Sequence, residues 1–200
     1  MIRAAFDLCG SLLVLTLLRL RGVRIHWRTA FSIRGIPFIS NRGTFVIAEG
    51  VRINARYSAN PIGGQHFCSF VVGPGALLEI QEGAAISNSA FVCCKKITVG
   101  KYVYIGGDCR IFDTDFHSLE LGKRIGLEGP DVYANVSPVV LKRGAFIGAG
   151  STILKGVTVG EESVVGAGSV VTKSIPDKQV WAGNPAQFVK HLKPESRGSA

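Results

Sequence analysis

A period of six residues governs this chain, and few folds tolerate it. From Leu141 the sequence reads LKRGAF IGAGST ILKGVT VGEESV VGAGSV VTKSIP, six consecutive hexads that open on Leu141, Ile147, Ile153, Val159, Val165 and Val171. The fifth place is small or aliphatic throughout, as Ala145, Ser151, Val157, Ser163, Ser169 and Ile175, and glycine recurs in second place at Gly148, Gly160 and Gly166. The same phase runs upstream through VGKYVY IGGDCR IFDTDF, from Val99, Ile105 and Ile111. A helix repeats its faces about every 3.6 residues and a strand every two, so six belongs to neither alone. It fits a prism whose short strands each turn one large and one small residue inward before a corner. Three hexads close one coil, and stacked coils bury a continuous aliphatic column while bonding their backbones to the rungs on either side.

Fainter copies come earlier, in IAEGVR–INARYS (Ile47, Ile53) and IQEGAA–ISNSAF (Ile80, Ile86), whereas SANPIGGQHFCSF (58–70) breaks the phase and reads as a loop. Coils are therefore expected over residues 45–176. A helical or irregular segment (1–44) precedes them, and a segment with a short helix and basic tail (177–200) follows. After Ile111 the phase fails: the next inward slots fall on His117, Lys123, Gly129 and Asn135, and aliphatics return only at Leu141. An unpaired polar side chain in such a column costs on the order of 1–3 kcal/mol. The chain is expected to leave the coil near His117 and return near residue 138, and long loops inside compact repeats commonly carry function.

Composition narrows the partners. Hydrophobic residues make up 46% and charged residues 18%, a packed rather than a disordered chain. The formal charge of +9 points to an anionic ligand or surface, and no basic–aromatic recognition motif directs it to nucleic acid. Five cysteines without CxxC spacing, two of them adjacent at Cys93 and Cys94, fit reduced thiols better than disulfides or a metal site. The opening MIRAAFDLCGSLLVLTLLRLRGVR has an apolar stretch shorter than the ~20 residues that span a bilayer, interrupted by Asp7. Arg19, Arg21 and Arg24 follow it without a small-residue cleavage site, so a cleaved signal is not expected. A short helix packed on the body of the protein or of a neighbouring chain is the expectation; a basic amphipathic segment on an anionic inner-membrane face is the alternative.

Through DTDFHS, FIGAGSTILKGVTVGEESVVGAGSVVTKSIP and AGNPAQFVK, the chain resembles the hexapeptide-repeat acyltransferases. Among them it is most similar to O-acetyltransferases of the galactoside, maltose and surface-polysaccharide branch, from roughly Ile47 to the end. The resemblance implies an all-β chain: a left-handed parallel β-helix of hexapeptide repeats with an extruded loop, plus short N- and C-terminal helices. The left hand comes from the resemblance alone, since general crossover rules favour the right. Also implied are acetyl-CoA as donor, a sugar of a surface polysaccharide (O-antigen, capsule or exopolysaccharide) as acceptor, and no metal. A homotrimer with active sites between subunits is expected, in the cytoplasm or peripheral to the inner face of the membrane.

Residue by residue, His117 matches the loop histidine that serves as general base, a role suited to imidazole near neutral pH. Asp113 and Asp115 either orient that ring, bind sugar hydroxyls, or are turn carboxylates. Asn88 resembles the amide that faces base and acceptor from a neighbouring chain. Gly148, Ala149, Gly166 and Ala167 match positions that admit the pantetheine arm, with coil-corner packing as the plain alternative. Thr172 and Lys173 resemble adenine and phosphate contacts, and Lys190 adds charge. His26, His66 and His191 read as structural or solvent-facing. Transfer to an amino group of a nucleotide-linked sugar and a non-catalytic scaffold are the alternatives. A carbonic anhydrase on the same coil is disfavoured, because it needs three histidines and no HxxxxH partner is present.

Overall fold

A computed structural model of the chain describes residues 2–62, 67–127 and 133–193, with side chains from Gly10 onward. The six-residue period becomes a three-sided prism. Its first coil is β1 (Val23–Ile25), β2 (Ile33–Arg34) and β3 (Phe38–Asn41). The second is β4 (Thr44–Ile47), β5 (Arg52–Asn54) and β6 (Ser69–Val72); the third is β7 (Leu77–Ile80), β8 (Ala85–Ser87) and β9 (Ala90–Cys93). The fourth is β10 (Lys96–Val99), β11 (Tyr104–Ile105) and β12 (Arg110–Phe112). After the extruded loop come β13 (Val139–Leu141), β14 (Phe146–Ile147) and β15 (Thr152–Ile153), then β16 (Thr158–Val159), β17 (Val164–Val165) and β18 (Val170–Val171). The first strands of all coils stack as face A, the second as face B and the third as face C, in parallel register.

Register aligns the inward residues into columns. On face A, Ile25, Ile47, Ile80, Val99, Leu141 and Val159 follow one another. Face B aligns Ile33, Ile53, Ile86, Ile105, Ile147 and Val165; face C aligns Ile39, Phe70, Phe91, Ile111, Ile153 and Val171. Every hexad-opening residue named from the sequence is buried, and so are the fifth-place residues from Ala145 to Ile175. The fifth-place serines are satisfied locally: Ser151 and Ser169 donate to the Gly166 carbonyl at 3.0 and 2.6 Å, and Ser163 to that of Pro176 at 2.6 Å.

Glycine serves the corners in two different ways. In second place it permits close approach: a Cβ on Gly148 would lie 2.5 Å from the Ala167 nitrogen of the next coil. In fourth place it supplies the left-handed backbone, at φ 73° for Gly150 and 69° for Gly168, a conformation that Asn88 and Asp108 adopt in the coils above.

The prism begins earlier than expected, at Val23 rather than near residue 45. Its first corners hide the period: a 3₁₀ turn (Trp27–Ser32) sets Ile25 and Ile33 eight residues apart, and Ile39 and Ile47 are again eight apart. Helix α1 (Ile2–Leu20) closes this end by burying Val14, Leu15 and Leu18. At the other end no helix follows the last coil among the described residues, where a short one was expected. Instead β19 (Gln179–Gly183) adds to β17, turns at Asn184–Pro185, and returns antiparallel as β20 (Ala186–His191). The physical reason is that Val180 and Trp181 extend the face B column over Val164 and Val165, and Phe188 then packs edge-on to Trp181 at 6.5 Å. Residues 194–200, the rest of the expected basic tail, lie outside the described residues.

Phe70 stacks on Phe91, its neighbour in the face C column, and meets Phe45 of face A across the core, with ring centroids 5.1 Å from each. Replacing it with alanine should cost about 3–5 kcal/mol, read as a lowered denaturation midpoint, while the outward Arg110→Ala stays within about 0.5 kcal/mol. The thiols give a second check. Cys68, Cys93 and Cys109 are buried free thiols and Cys94 is exposed. Burial pushes the first two up to about 12, with the Asp113 carboxylate adding to the shift at Cys93, and raises Cys109 as well. Only about one in ten thousand of the Cys68 and Cys93 thiols is ionised at pH 8, so iodoacetamide should label Cys94 and spare those three until the protein unfolds. Peptide mass spectrometry reads the outcome.

Candidate active site

The corner between faces C and A is where the coil opens. After β12 the chain leaves at Asp113, passes through a short helix α2 (Leu121–Arg124), and rejoins at Val139. The two arms of the loop pair at their base. Thr114 bridges Val136 antiparallel, the Asp115 N–H donates to the Asn135 carbonyl at 3.0 Å, and the Ser137 N–H to that of Asp113 at 2.9 Å. The next corner supports this base from the following coil, because Gly156 donates its N–H to the Ser137 carbonyl at 3.0 Å.

His117 stands just beyond that base and is exposed. Phe116, at φ 66°, reverses the chain before it; the Phe116 N–H donates to the Thr114 hydroxyl at 3.0 Å and the Phe116 ring packs edge-on to Phe112 at 5.0 Å. The His117 N–H donates to the Asp115 carbonyl at 2.8 Å. The histidine backbone is therefore held in a tight turn on a rigid support, which is what a precisely placed base needs.

The two aspartates separate into different roles. Asp113 is fully buried, and its carboxylate accepts the backbone N–H groups of Cys94, Lys95 and Lys96 at 2.7, 2.8 and 2.8 Å. It closes the preceding coil's corner within a nest of three backbone amides, the arrangement that a turn carboxylate makes. Asp115 pairs with Lys155 Nζ at 2.9 Å and accepts from the Asn135 amide at 3.4 Å. The first braces the loop base against the next coil, and the second ties the two arms of the loop together. Sequence inspection missed Lys155. The signal was its register: in ILKGVT it occupies the face C to face A corner one coil beyond the break.

Asn88, Gly148, Ala149, Gly166 and Ala167 share the other corner, between faces B and C, across face C from His117. Asn88 is buried rather than open to a neighbour. Asn60, from the turn after β5, lies against it, and the Asn88 amide donates to the Asn60 carbonyl at 3.2 Å. Its Oδ1 has no hydrogen-bond donor among the described residues. Gly148 and Gly166 must be glycine for coil packing alone, the latter because a Cβ would meet the Ala182 methyl at 2.8 Å. Ala149 is partly and Ala167 largely accessible, so the corner presents a strip of bare backbone and methyls. Thr172 and Lys173 are exposed just after β18, and Lys190 on β20. His26 lies 4.0 Å from Glu49, and His191 packs on Phe188 at 4.9 Å; His66 lies outside the described residues. No group of three or more potential metal ligands occurs among the described residues.

Residues 138–173 match the family model of the hexapeptide repeat of succinyl-transferase. Over 107 residues the chain is 41% identical to a galactoside O-acetyltransferase of Lactococcus lactis, covering 52% of this chain and 48% of that one. Over 49 residues it is 53% identical to a dTDP-3-amino-3,6-dideoxy-alpha-D-galactopyranose 3-N-acetyltransferase of Aneurinibacillus thermoaerophilus, covering 24% and 26%. Its fold matches that of a hexapeptide-repeat acetyltransferase from Vibrio cholerae with a TM-score of 0.51 at 28% identity, over 64% of this chain and 71% of that one. The chain spans about half the length of the curated relatives it matches. By its period, its matched repeat and its parallel β-helix, this chain is similar to the hexapeptide-repeat acetyltransferases and shares their fold.

Proposed function

We propose that the chain is an acetyl-CoA-dependent O-acetyltransferase that modifies a sugar hydroxyl in surface-polysaccharide biosynthesis, with His117 as general base. The observation that carries this is the support under His117: a coil break zipped at its base and braced by the Asp115–Lys155 pair holds one imidazole at the edge of face C. The similarity to a galactoside O-acetyltransferase favours a sugar hydroxyl as acceptor. An alcohol is a poor nucleophile at neutral pH, and an imidazole nitrogen within hydrogen-bond reach of its O–H takes the proton as oxygen attacks the thioester carbonyl. The C–S bond then breaks, the acetyl group stays on the sugar oxygen, and the CoA sulfur recovers a proton from the imidazolium. A thioester is already activated, so no acyl-enzyme is required.

In this proposal the pantetheine arm runs along the bare strip of Gly148, Ala149, Gly166 and Ala167, and Thr172, Lys173 and Lys190 meet the nucleotide end. Asp115 is a positioning residue. Asn88 faces the acceptor only if Asn60 moves off it. The assembly is a cytoplasmic homotrimer in which a neighbouring chain completes the site. In its favour, His117 and the Gly–Ala strip lie at opposite edges of face C. The loop also leaves Leu119, Leu121, Ile125 and Leu127 exposed, a set suited to burial against another subunit. N-acetylation of a nucleotide-linked amino sugar is the second reading, favoured by the short match to the N-acetyltransferase.

Thiol release from acetyl-CoA with panels of sugar alcohols and amino sugars separates the two readings. His117→Ala should lower kcat by about 10²–10⁴-fold with an unchanged melting temperature and assembly mass, and near-full turnover would sink the assignment. Asp113→Ala should behave oppositely. Losing a buried carboxylate that serves three amides costs about 3 kcal/mol or more, seen as a lowered melting temperature.

A further inference from the structure

The helix end of the prism differs chemically from the rest of the molecule. Residues 1–56 contain nine arginines, no lysine and two acids, a formal +7 of the chain's +9. Arg19, Arg21, Arg24, Arg28, Arg34 and Arg42 are exposed on α1, on the first coil or just after it. From Leu8 to Ala48 there is no acidic residue, and Glu49 is engaged by Arg28 at 3.3 Å.

The same end is also apolar on its outside. Helix α1 buries Val14, Leu15 and Leu18 inward, yet its outward face carries Leu12, Leu13 and Leu20 at 50, 54 and 78% exposure. A helix that is apolar on both sides has a face left to cover. Next to it, Trp27, Phe31, Ile36 and Phe38 are about half exposed. A groove of about 500 Å³ runs between α1 and β3, lined by Val14, Leu17, Ile36 and Phe67, with Arg21 beside it. Among the described residues no helix is long and apolar enough to cross a membrane.

We infer that this end of the prism docks on an anionic phospholipid surface, with α1 lying in the plane of the interface and its leucines among the acyl chains. Charge complementarity selects that occupant. An all-arginine belt with no acid from Leu8 to Ala48 and with Glu49 engaged by Arg28 suits a dense layer of phosphates, to which guanidinium binds in bidentate fashion. The apolar face and the aromatic residues supply the buried area that charge alone lacks, and amphipathic helices combine these two terms to lie on a bilayer. Docked in this way, the prism stands away from the membrane and keeps both the His117 loop and the Gly–Ala corner clear of it. The inference does not depend on which acceptor the enzyme uses.

Co-sedimentation of the full chain tests it, using vesicles of phosphatidylcholine alone and mixed with phosphatidylglycerol. Binding should be at least tenfold stronger on the mixed vesicles. It should fall steeply between about 0.1 M and about 1 M salt, as the screening length shortens from about 10 to about 3 Å. Arg24→Gln with Arg42→Gln should weaken it about fivefold per arginine. Leu12→Gln with Leu13→Gln should weaken it tenfold or more at unchanged assembly mass. Equal binding to both vesicle types, or none to either, overturns the inference. So does indifference to the arginine pair. A change of assembly mass in the leucine variant also overturns it, because a second copy of the chain would then be what covers α1.

Discussion

Each coil must hand its backbone hydrogen bonds to the next while keeping its inward slots free of unpaired polarity, and everything else in this molecule follows from that. Parallel rungs leave no strand with an open edge except at the two ends. The inward columns are correspondingly strict: aliphatics and a cluster of three phenylalanines fill the large slots, and small residues or further aliphatics the fifth places. Where a hydroxyl must point inward it bonds to a carbonyl of its own corner or of the next coil, so polarity enters the core only with its partner already present.

The extruded loop after β12 suspends this discipline, and its cost is contained by pairing the two arms before they diverge. Departure from the coil therefore does not mean looseness at the point of departure. Asp113 stays behind to close the previous corner, Asp115 reaches the coil below, and His117 is the first side chain past both anchors. A rigid scaffold that releases its chain at a single corner fixes a residue in space while leaving the rest of the loop to contact something else.

The columns from Val99 onward are legible because every corner there except the one with the extruded loop takes the same number of residues, so register and sequence distance coincide. The first coil was not, since corners of eight residues and a 3₁₀ turn shift the spacing without changing the inward chemistry. The break at His117 could be read as a failure of the column. The fates of Asp113 and Asn88 could not: one is bonded to backbone amides some eighteen positions earlier, and the other is covered by a segment whose own sequence only announces a loop. The terminal hairpin was misread because a lone Pro after Asn resembles a helix start as much as a turn.

The reversal of direction at Asn184–Pro185 has a further meaning. A stack of identical parallel coils has no intrinsic length: its last rung is a template for another, whether from the same chain or from a different molecule. In β20 the backbone runs against the grain of the rungs beneath it, and its outward residues include Lys190 and His191. Face B thus ends on an antiparallel strand rather than another parallel rung, and α1 lies beside β1 at the opposite end. Both interrupt a repeat that would otherwise be open to fibre growth.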